Sequence, residues 1–407
     1  MNELWKNTPI YAYIDKNFDL CVHENTQDTG NLIGMPKPYT VPCVGGAFQE
    51  MYYWDTYFAN VGLILCGKLE QAKNNVDDML YMVERFGYMP NGNRTHYLKS
   101  SQPPFLSLMV REVYEQTGDK AWLAGAVKTL EKEHHFWIAR RQTPCVLSRY
   151  GANREFCPDT GLAGALRERL GINPPIKTDD LMVDHFIAGA ESGWDFNPRT
   201  EFEAFNYAEV DLNSLLYALE SNIAYFHTEL GNAESELWQT RAQERAERMR
   251  RLMKGADGCY YDYNFMQDRL SPVFSTASYY PLFVGLVNEE EAKAALAALP
   301  RIELAHGVAT CAKNDAPCTY QWNYPNGWPC QQMIVVKGLL NYGLREDALR
   351  IASKYTETVE RVFAQNGNLW EKYNVEDGSI NTSNEYEMPP MLGWTAGVYL
   401  YLKKLLG

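Results

Sequence analysis

The sequence lacks a long apolar run and a recognisable secretion signal. None of the apolar stretches among its 407 residues reaches the roughly 20 positions that a membrane-spanning helix needs. Residues 1–6 (MNELWK) do not combine a basic start with an apolar segment, as a signal peptide does. We therefore expect neither a membrane protein nor a secreted one.

Paired cysteines and an excess of positive charge are missing as well. The nine cysteines are scattered and odd in number, without a CxxC motif, and Cys311 and Cys318 have no histidines nearby at ligand spacing. This pattern is typical of reduced thiols in the cytoplasm rather than of a disulfide framework or a zinc site, so we predict a cytoplasmic location. The net charge of −13 argues against nucleic acid or an anionic membrane as a partner.

Aromatic side chains, in contrast, are abundant. They make up 13% of the chain, with ten Trp and 27 Tyr, whereas a core alone would more naturally use Leu and Ile. Aromatic rings with polar tips suit the stacking and hydrogen bonding of a carbohydrate groove. A core rich in Tyr would satisfy the same composition, so the composition alone leaves both interpretations open.

Helical periodicity dominates from about residue 56. Apolar residues recur at spacings of three and four in residues 123–137, 212–226 and 348–362, which predicts one apolar stripe on each helix. Further helices are predicted near residues 57–67, 71–86, 103–117, 235–254, 289–298, 329–342 and 394–406. Only residue 44, residues 260–261 and a few short pieces suggest strands. The fold class is therefore predicted to be all-α.

Proline and glycine cluster in loops rather than in a linker between two halves of the chain. The loops are residues 87–104, 151–175, 189–198, 316–330 and 378–393. Helices paired around a centre, with function on the loops at one end, describe a single-domain toroid, and no repeat in the sequence favours an open solenoid. Residues 1–40 are polar and irregular, and we predict that they wrap around a catalytic domain formed by residues 41–407.

Residues 191–195 (ESGWD) place a carboxylate at each end of a glycine-centred turn, with Trp194 beside the second carboxylate. Burial against an aromatic ring raises the pKa of a carboxyl group, which suits Asp195 to a general acid that holds a proton near neutral pH. A surface Asp that caps a helix behind a buried Trp would give the same pattern.

Four other segments repeat this mixture of aromatic, amide, carboxylate and glycine residues. They are residues 45–55 (GGAFQEMYYWD), 91–94 with 101–104 (NGNR and SQPP), 321–329 (QWNYPNGWP), and 384–387 with 393–395 (NEYE and GWT). Burying so many polar groups without a ligand to satisfy them would cost stability. The composition of these loops therefore favours a sugar-binding site.

In these segments the chain resembles the trehalase family, the inverting α-glycosidases built on an (α/α)6 barrel. Residues 45–55 are similar to the family's PGGRFxExYYWDxY signature, residues 321–329 to QWDxPNGWxP, and residues 190–196 to AESGWDF. Further stretches that follow the family in order are residues 210–214, 370–373, 385–386 and 393–395. The resemblance runs from about residue 40 to the end, and it implies an (α/α)6 toroid that needs no cofactor and no metal.

The resemblance also implies a role for each matching residue. Asp195 is the implied general acid and Glu385 the implied general base that activates water. Residues expected to line or support the sugar site are Phe48, Trp54, Asp55, Asn91, Gln102, Arg154, Glu191, Arg199, Trp322 and Trp394. Core packing is the alternative role for Phe48, Trp54 and Trp322, and a cap, a buried network or an ion pair for Asp55, Gln102 and Arg199.

Two arginines of the family pattern are absent from this chain. Ala47 and Ser100 stand in their places, Lys99 lies one position before Ser100, and Arg154 is the candidate for a third arginine. A lysine does not reproduce the forked hydrogen bonding of an arginine. We therefore expect altered hydrogen bonding to the sugar, and trehalose should be a poor substrate.

The sequence thus predicts a glycoside hydrolase that cleaves an α-glucosidic bond in a small saccharide or a glycosylated small molecule, with inversion. The alternative is a catalytically weak, sugar-binding relative of the family. The presence of both Asp195 and Glu385 favours the enzyme, because a protein that only binds sugar needs no such pair. The number of Trp and amide side chains on loops argues against a purely structural helical toroid.

Overall fold

Helices account for most of the protein, whose computed structural model describes residues 4–157, 164, 178–316, 320–383 and 386–407. The helices are α1 (Pro9–Leu20), α2 (Tyr53–Leu65), α3 (Leu69–Phe86), α4 (Leu106–Thr117), α5 (Lys120–Arg141), α6 (Asp179–Glu191), α7 (Val210–Leu230), α8 (Ser235–Met253), α9 (Tyr280–Phe283), α10 (Glu289–Ala298), α11 (Pro329–Asn341), α12 (Arg345–Asn366) and α13 (Gly393–Leu406).

Short two-residue strands lie in the loops between the helices. They are β1 (Val22–His23), β2 (Tyr39–Thr40), β3 (Tyr207–Ala208), β4 (Tyr263–Asn264), β5 (Arg269–Leu270), β6 (Glu303–Leu304), β7 (Gly307–Val308), β8 (Asn326–Gly327) and β9 (Tyr373–Asn374). They pair antiparallel as β1–β2, β3–β4–β5, β6–β7 and β8–β9. The last pair joins the loop before α11 to the loop after α12.

Six helices form a closed inner ring. Helices α2, α4, α7, α9, α11 and α13 pack against one another in that order, and α13 packs back against α2. Helices α3, α5, α8 and α12 lie outside this ring, each against at least one inner helix, and alternate with the inner helices along the chain. This alternation is the (α/α)6 toroid, which confirms the predicted fold class.

Burial separates the inner helices from the outer ones. Helix α2 buries ten of its 13 residues, on all sides. Helix α12 instead buries one stripe, which includes Ile351, Tyr355, Val359 and Val362, and leaves its other faces to solvent. The amphipathic stripes that were visible in the sequence thus belong mostly to outer helices.

The ring closes where α2 meets α13, at Gly62 and Gly397. A Cβ atom added to Gly397 would lie 1.9 Å from the backbone oxygen of Phe58, and one added to Gly62 would lie 2.7 Å from Gly397 Cα. Two helix backbones approach this closely only where neither carries a side chain. The two glycines therefore bring the first and the last inner helix into direct contact.

The first forty residues contain more regular structure than the sequence predicted. The side chain of Thr8 accepts a hydrogen bond from Tyr11 N at 3.3 Å and caps α1, whose Ile10, Ile14 and Phe18 face the core. Helix α1 packs against α13. Helices α6 and α9 were not predicted either, and residue 44 and residues 260–261 lie outside the β-strands. Among the described helices, none is both long and apolar enough to span a bilayer.

Candidate active site

The amino-terminal ends of inner helices surround a cavity of about 330 Å³. Trp54 and Asp55 lie in the first turn of α2, Trp394 lies in the first turn of α13, and Trp328 is the N-cap of α11. Gln102 lies just before α4 and accepts a hydrogen bond from Trp54 N at 3.3 Å. Helix amino termini carry partial positive charge, so this end of the toroid favours carboxylates and other anionic groups.

Eight of the predicted site residues line this cavity together. They are Phe48, Trp54, Asp55, Asn91, Gln102, Asp195, Trp322 and Trp394. Glu385, the predicted base, lies outside the described residues, whereas its neighbour Tyr386 lines the cavity. Arg154, Glu191 and Arg199 are not part of the cavity lining.

Four tryptophans form the floor of the cavity. Trp322 and Trp328 are parallel, with ring centroids 3.7 Å apart. Trp54 lies 5.6 Å from Trp322 and 5.9 Å from Trp394, measured between ring centroids. Such a floor offers flat apolar surface to a sugar ring while remaining part of the core, so the two roles considered for Trp54 and Trp322 are compatible.

Asp195 lies in the loop after α6 and is only partly buried. Gly193 takes a positive φ of 73°, and a Cβ there would lie 2.8 Å from the ring of Trp54, so the turn packs directly on the tryptophan floor. The side-chain amide of Gln321 donates to the backbone oxygen of Asp195 at 2.7 Å, and Trp322 N donates to Phe196 O at 3.2 Å. These bonds join the loop to the segment before α11.

Glu371 is a cavity carboxylate to which the sequence analysis gave no role. It is 2% exposed and lines the cavity. Lys372 Nζ donates to its Oε2 at 2.7 Å, and the hydroxyl of Tyr386 donates to its Oε1 at 2.7 Å. The sequence did carry a signal, since residues 370–373 (WEKY) place a carboxylate and a lysine between two aromatic residues within a family-like stretch.

Three carboxylates, those of Asp55, Asp195 and Glu371, line this cavity together. Burial raises the pKa of Asp55 to about 7, and the charges of Glu371 and Asp195 contribute to this rise. Burial also raises the pKa of the Tyr386 hydroxyl far above its usual range, with further contributions from all three carboxylates. The three groups therefore share one electrostatic environment.

Glu191 supports the cavity from behind rather than lining it. It is fully buried, and Arg141 forms a two-pronged ion pair with it through Nε and Nη2, each at 2.8 Å. Its carboxylate also accepts hydrogen bonds from Ser101 N and Gly151 N, both at 2.7 Å. Glu191 thus fixes the segment that carries Gln102 to the end of α6. Arg141, its partner, was not identified from the sequence.

Arg199 is a buried cation beneath the site. Its guanidinium lies 4.1 Å from the ring centre of Trp194 and donates to Asp262 and Asp211 at 2.6–2.9 Å. Glu209 is 3.5 Å away, and burial raises the pKa of its carboxyl group well above the usual range. The ion-pair role considered for Arg199 matches this geometry.

Arg154 lies at the surface beside α6, where it pairs with Asp180 at 2.9 Å and with Asp184 at 3.5 Å. Of the two positions at which the family pattern has arginine, Ser100 lines the cavity whereas Ala47 is exposed. Lys99 also lines the cavity. The cavity wall near residue 100 is therefore the one altered by the loss of an arginine.

Residues 21–407 match the model of the trehalase family. A periplasmic trehalase of Xanthomonas campestris pv. campestris (strain B100) is 32% identical, with 98% of this chain and 74% of that protein aligned. A periplasmic trehalase of Pseudomonas aeruginosa is 31% identical, with 95% and 74% aligned.

Solved structures agree with the sequence relatives. The neutral trehalase Nth1 from Saccharomyces cerevisiae superimposes with a TM-score of 0.78 at 28% identity, over 95% of this chain and 76% of that one. A mannosylglycerate hydrolase from Thermus thermophilus superimposes with a TM-score of 0.63 at 17% identity, over 90% and 96%, and shares the fold alone.

The relatives contradict the cytoplasmic location predicted from the sequence, because the bacterial ones are named periplasmic trehalases. The prediction was wrong because it depended on unpaired cysteines. Eight cysteines are free thiols in the described part of the chain, and six of these are buried. A buried cysteine packs as a small apolar residue, so its reduced state does not identify a compartment.

Proposed function

The chain belongs to the trehalase family, and we propose that it hydrolyses an α-glucosidic bond in a small saccharide or glycosylated small molecule by single displacement, with inversion. The observation that carries this proposal is the convergence of Asp55, Asp195 and Glu371 in one cavity above a tryptophan floor. A protein that only bound sugar would need the floor and the amides but no group of three carboxylates.

Asp195 is proposed as the general acid that protonates the departing oxygen. Support comes from its position in a stretch that follows the family, at the cavity surface, on a loop held by Gln321 and Trp322. These hydrogen bonds fix the backbone of Asp195 relative to the tryptophan floor. A positioned acid needs such an anchor to meet the leaving group within hydrogen-bond reach.

Glu371 is proposed as the general base, in place of Glu385. A base must accept a proton from water, and Glu371 is a cavity carboxylate already oriented as an acceptor by Lys372 and Tyr386. Glu385, the base that the resemblance implies, lies outside the described residues and stays the competing candidate. For either residue, inversion requires its carboxyl group to lie about 6.5–9.5 Å from that of Asp195, so that a water molecule fits between.

Asp55, Asn91 and Gln102 are proposed to bind hydroxyl groups of the sugar. With a pKa of about 7, Asp55 is present in both protonation states near neutral pH and can donate or accept a hydrogen bond. The two amides offer both donors and acceptors. Together with the tryptophan floor, they provide the polar and apolar contacts that a glucosyl ring requires.

The proposal is tested by hydrolysis of a panel of α-glucosides that includes trehalose, followed by NMR of the first product. We expect β-glucose to appear before mutarotation, because inversion converts an α-glucoside into the β-anomer. For a glucoside whose leaving group is not a sugar, the first appearance of α-glucose would refute single displacement. Trehalose should release α- and β-glucose in equal amounts, because its departing glucose keeps the α-configuration, and release of α-glucose alone would refute inversion. Binding without turnover of any α-glucoside would favour the weak sugar-binding relative, which the family relationship does not favour.

A further inference from the structure

We propose that the leaving group of the natural substrate is acidic, and that Lys99 binds its carboxylate or phosphate group. This inference rests on the proposed hydrolysis of an α-glucoside and specifies the chemical class of the group released. It concerns the cavity wall formed by residues 97–102, which lies between the tryptophan floor and the segment around residue 153.

The ammonium group of Lys99 is a cation without a protein counter-ion in the described structure. Lys99 is partly buried and lines the cavity, and its side chain forms no hydrogen bond or ion pair with any described residue. It is also the only Lys or Arg among the described residues that line this cavity. Lys372 is fully buried and already paired with Glu371. An ammonium group without a protein partner at the cavity wall can bind a carboxylate or phosphate group of a ligand.

The backbone of residues 99–101 is held in place, so Lys99 has a fixed position in the cavity wall. Asn153 N donates to Lys99 O at 2.7 Å, and Asn91 N donates to Ser100 O at 2.9 Å. The next residue, Ser101, donates its N–H to buried Glu191 at 2.7 Å. Only the side chain of Lys99 is left to adjust to a ligand, and the small side chain of Ser100 beside it leaves room for one.

The charges around the cavity explain why an acidic substrate needs this residue. Asp55, Asp195 and Glu371 line the cavity, and the whole chain carries a net charge of −13. Carboxylates that are ionised oppose an anionic leaving group, and the charge of Lys99 offsets this repulsion. A neutral leaving group needs no such compensation, and binding it would leave the charge of Lys99 unmatched.

The test compares α-glucosides whose leaving groups carry either an anionic or a neutral end. The anionic substrates are carboxymethyl and 2-phosphoethyl α-D-glucoside, and the neutral ones are carbamoylmethyl and 2-hydroxyethyl α-D-glucoside. Because a hydrogen bond to a charged group contributes enough to change a rate or affinity roughly 10–100-fold, we expect kcat/KM to favour an anionic substrate over its neutral partner by that factor. The carboxylate and phosphate arms show which anion the wall prefers.

Three variants complete the design. Lys99→Met is expected to reduce the ratio of anionic to neutral kcat/KM to about one, and Lys99→Arg to retain part of it. Lys404→Met removes an exposed lysine of α13 and is expected to leave the ratio unchanged. Calorimetric titration of Asp195→Asn with the same four glucosides measures the preference without turnover.

The outcomes separate the two proposals. Equal use of anionic and neutral glucosides by the wild type, or an unchanged preference in Lys99→Met, overturns the role of Lys99 while the hydrolase proposal stands. Absence of turnover on every glucoside overturns the hydrolase proposal, and the calorimetric ratio then decides whether Lys99 selects anions. An anionic preference that disappears in Lys99→Met but persists in Lys404→Met establishes the inference.

Discussion

At the scale of single residues, Asp195 and Glu371 are expected to differ in how their variants respond to the leaving group. Asp195→Asn and Glu371→Gln should each reduce kcat by about 10²–10⁴-fold, because each removes a positioned acid or base. Glu371→Gln also removes a charge paired with buried Lys372, so its free energy of unfolding is measured alongside kcat. An α-glucoside with an activated leaving group needs no protonation, so it should restore much of the rate of Asp195→Asn only. The measurement is kcat on an α-glucoside with an unactivated leaving group and on one with an activated leaving group.

Glu385→Gln is the control that distinguishes the two candidate bases. If Glu371 is the base, Glu371→Gln should lose activity on both kinds of substrate, and Glu385→Gln should lose less. The opposite order would return the role of base to Glu385. Equal rescue of Asp195→Asn and Glu371→Gln by the activated substrate would mean that the acid and base are wrongly assigned.

Asp55 gives a prediction about the pH dependence of stability. Its pKa is raised from 3.8 to about 7 in the folded protein, so between these values the folded state binds a proton that the unfolded state has lost. The contribution of Asp55 therefore destabilises the fold increasingly as pH rises from about 4 to about 7. Urea unfolding should show that the free energy of unfolding of Asp55→Asn, measured relative to that of the wild type, increases as pH rises over this range. A difference independent of pH would contradict the raised pKa.

The residues of the site show what a sequence can and cannot predict about function. Trp54, Asp55 and Asp195 could be predicted to lie near one another because each belongs to a short motif that resembles a signature of the family, and all three line the cavity. Glu371 could not be assigned, because its role depends on Lys372 and on Tyr386, whose hydroxyl reaches it from 15 positions further along the connection between α12 and α13. Glu191 was expected at the sugar site, but whether an acid faces a cavity or an arginine depends on tertiary packing.

At the scale of secondary-structure elements, the sequence identified helices by their apolar stripes. This worked for α5, α7 and α12, which are long. It missed α9, which has four residues, and α1, whose stripe consists of Ile10, Ile14 and Phe18 within an otherwise polar segment. Periodicity also did not separate inner from outer helices, because that distinction depends on how the ring closes.

The buried ion pair Glu191–Arg141 joins the ends of α5 and α6 to the segment that carries Gln102. Breaking this pair should lower the free energy of unfolding. Glu191→Gln leaves Arg141 buried without a counter-ion, so we expect a loss of roughly 3–5 kcal/mol in the free energy of unfolding. We also expect a higher KM, because Ser101 N loses its charged acceptor and the wall beside Gln102 loosens. Urea unfolding and steady-state kinetics measure the two effects.

The neighbouring pair Arg140–Glu155 is the matched control. It has a similar separation of 2.9 Å, but both side chains are about half exposed. Glu155→Gln should therefore cost only about 0–1 kcal/mol, as exposed ion pairs usually do. Similar losses for Glu191→Gln and Glu155→Gln would show that Glu191 is not the clamp that its burial indicates.

At the scale of the whole molecule, the site exists because the ring closes between α2 and α13. These two helices carry Trp54, Asp55 and Trp394 in their first turns, so their separation sets the width of the cavity. Residues more than 300 positions apart in the sequence meet there, which explains why the motifs could be recognised singly while their arrangement depended on the fold. Gly62 and Gly397 decide how closely the two helices approach.

Gly397→Ala is therefore expected to damage stability and activity together. Its Cβ would lie 1.9 Å from Phe58 O, so one of the two helix backbones must move, at a cost of about 1–3 kcal/mol or more. Gly125→Ala is the control, because Gly125 is exposed within α5 and an added Cβ has no atom within 4 Å. That change should stabilise the protein by roughly 0.5–1 kcal/mol, as Gly to Ala does within a helix, and leave kcat/KM unchanged. If Gly397→Ala matched Gly125→Ala in urea unfolding and kinetics, the close contact of α2 and α13 would not be what holds the cavity together.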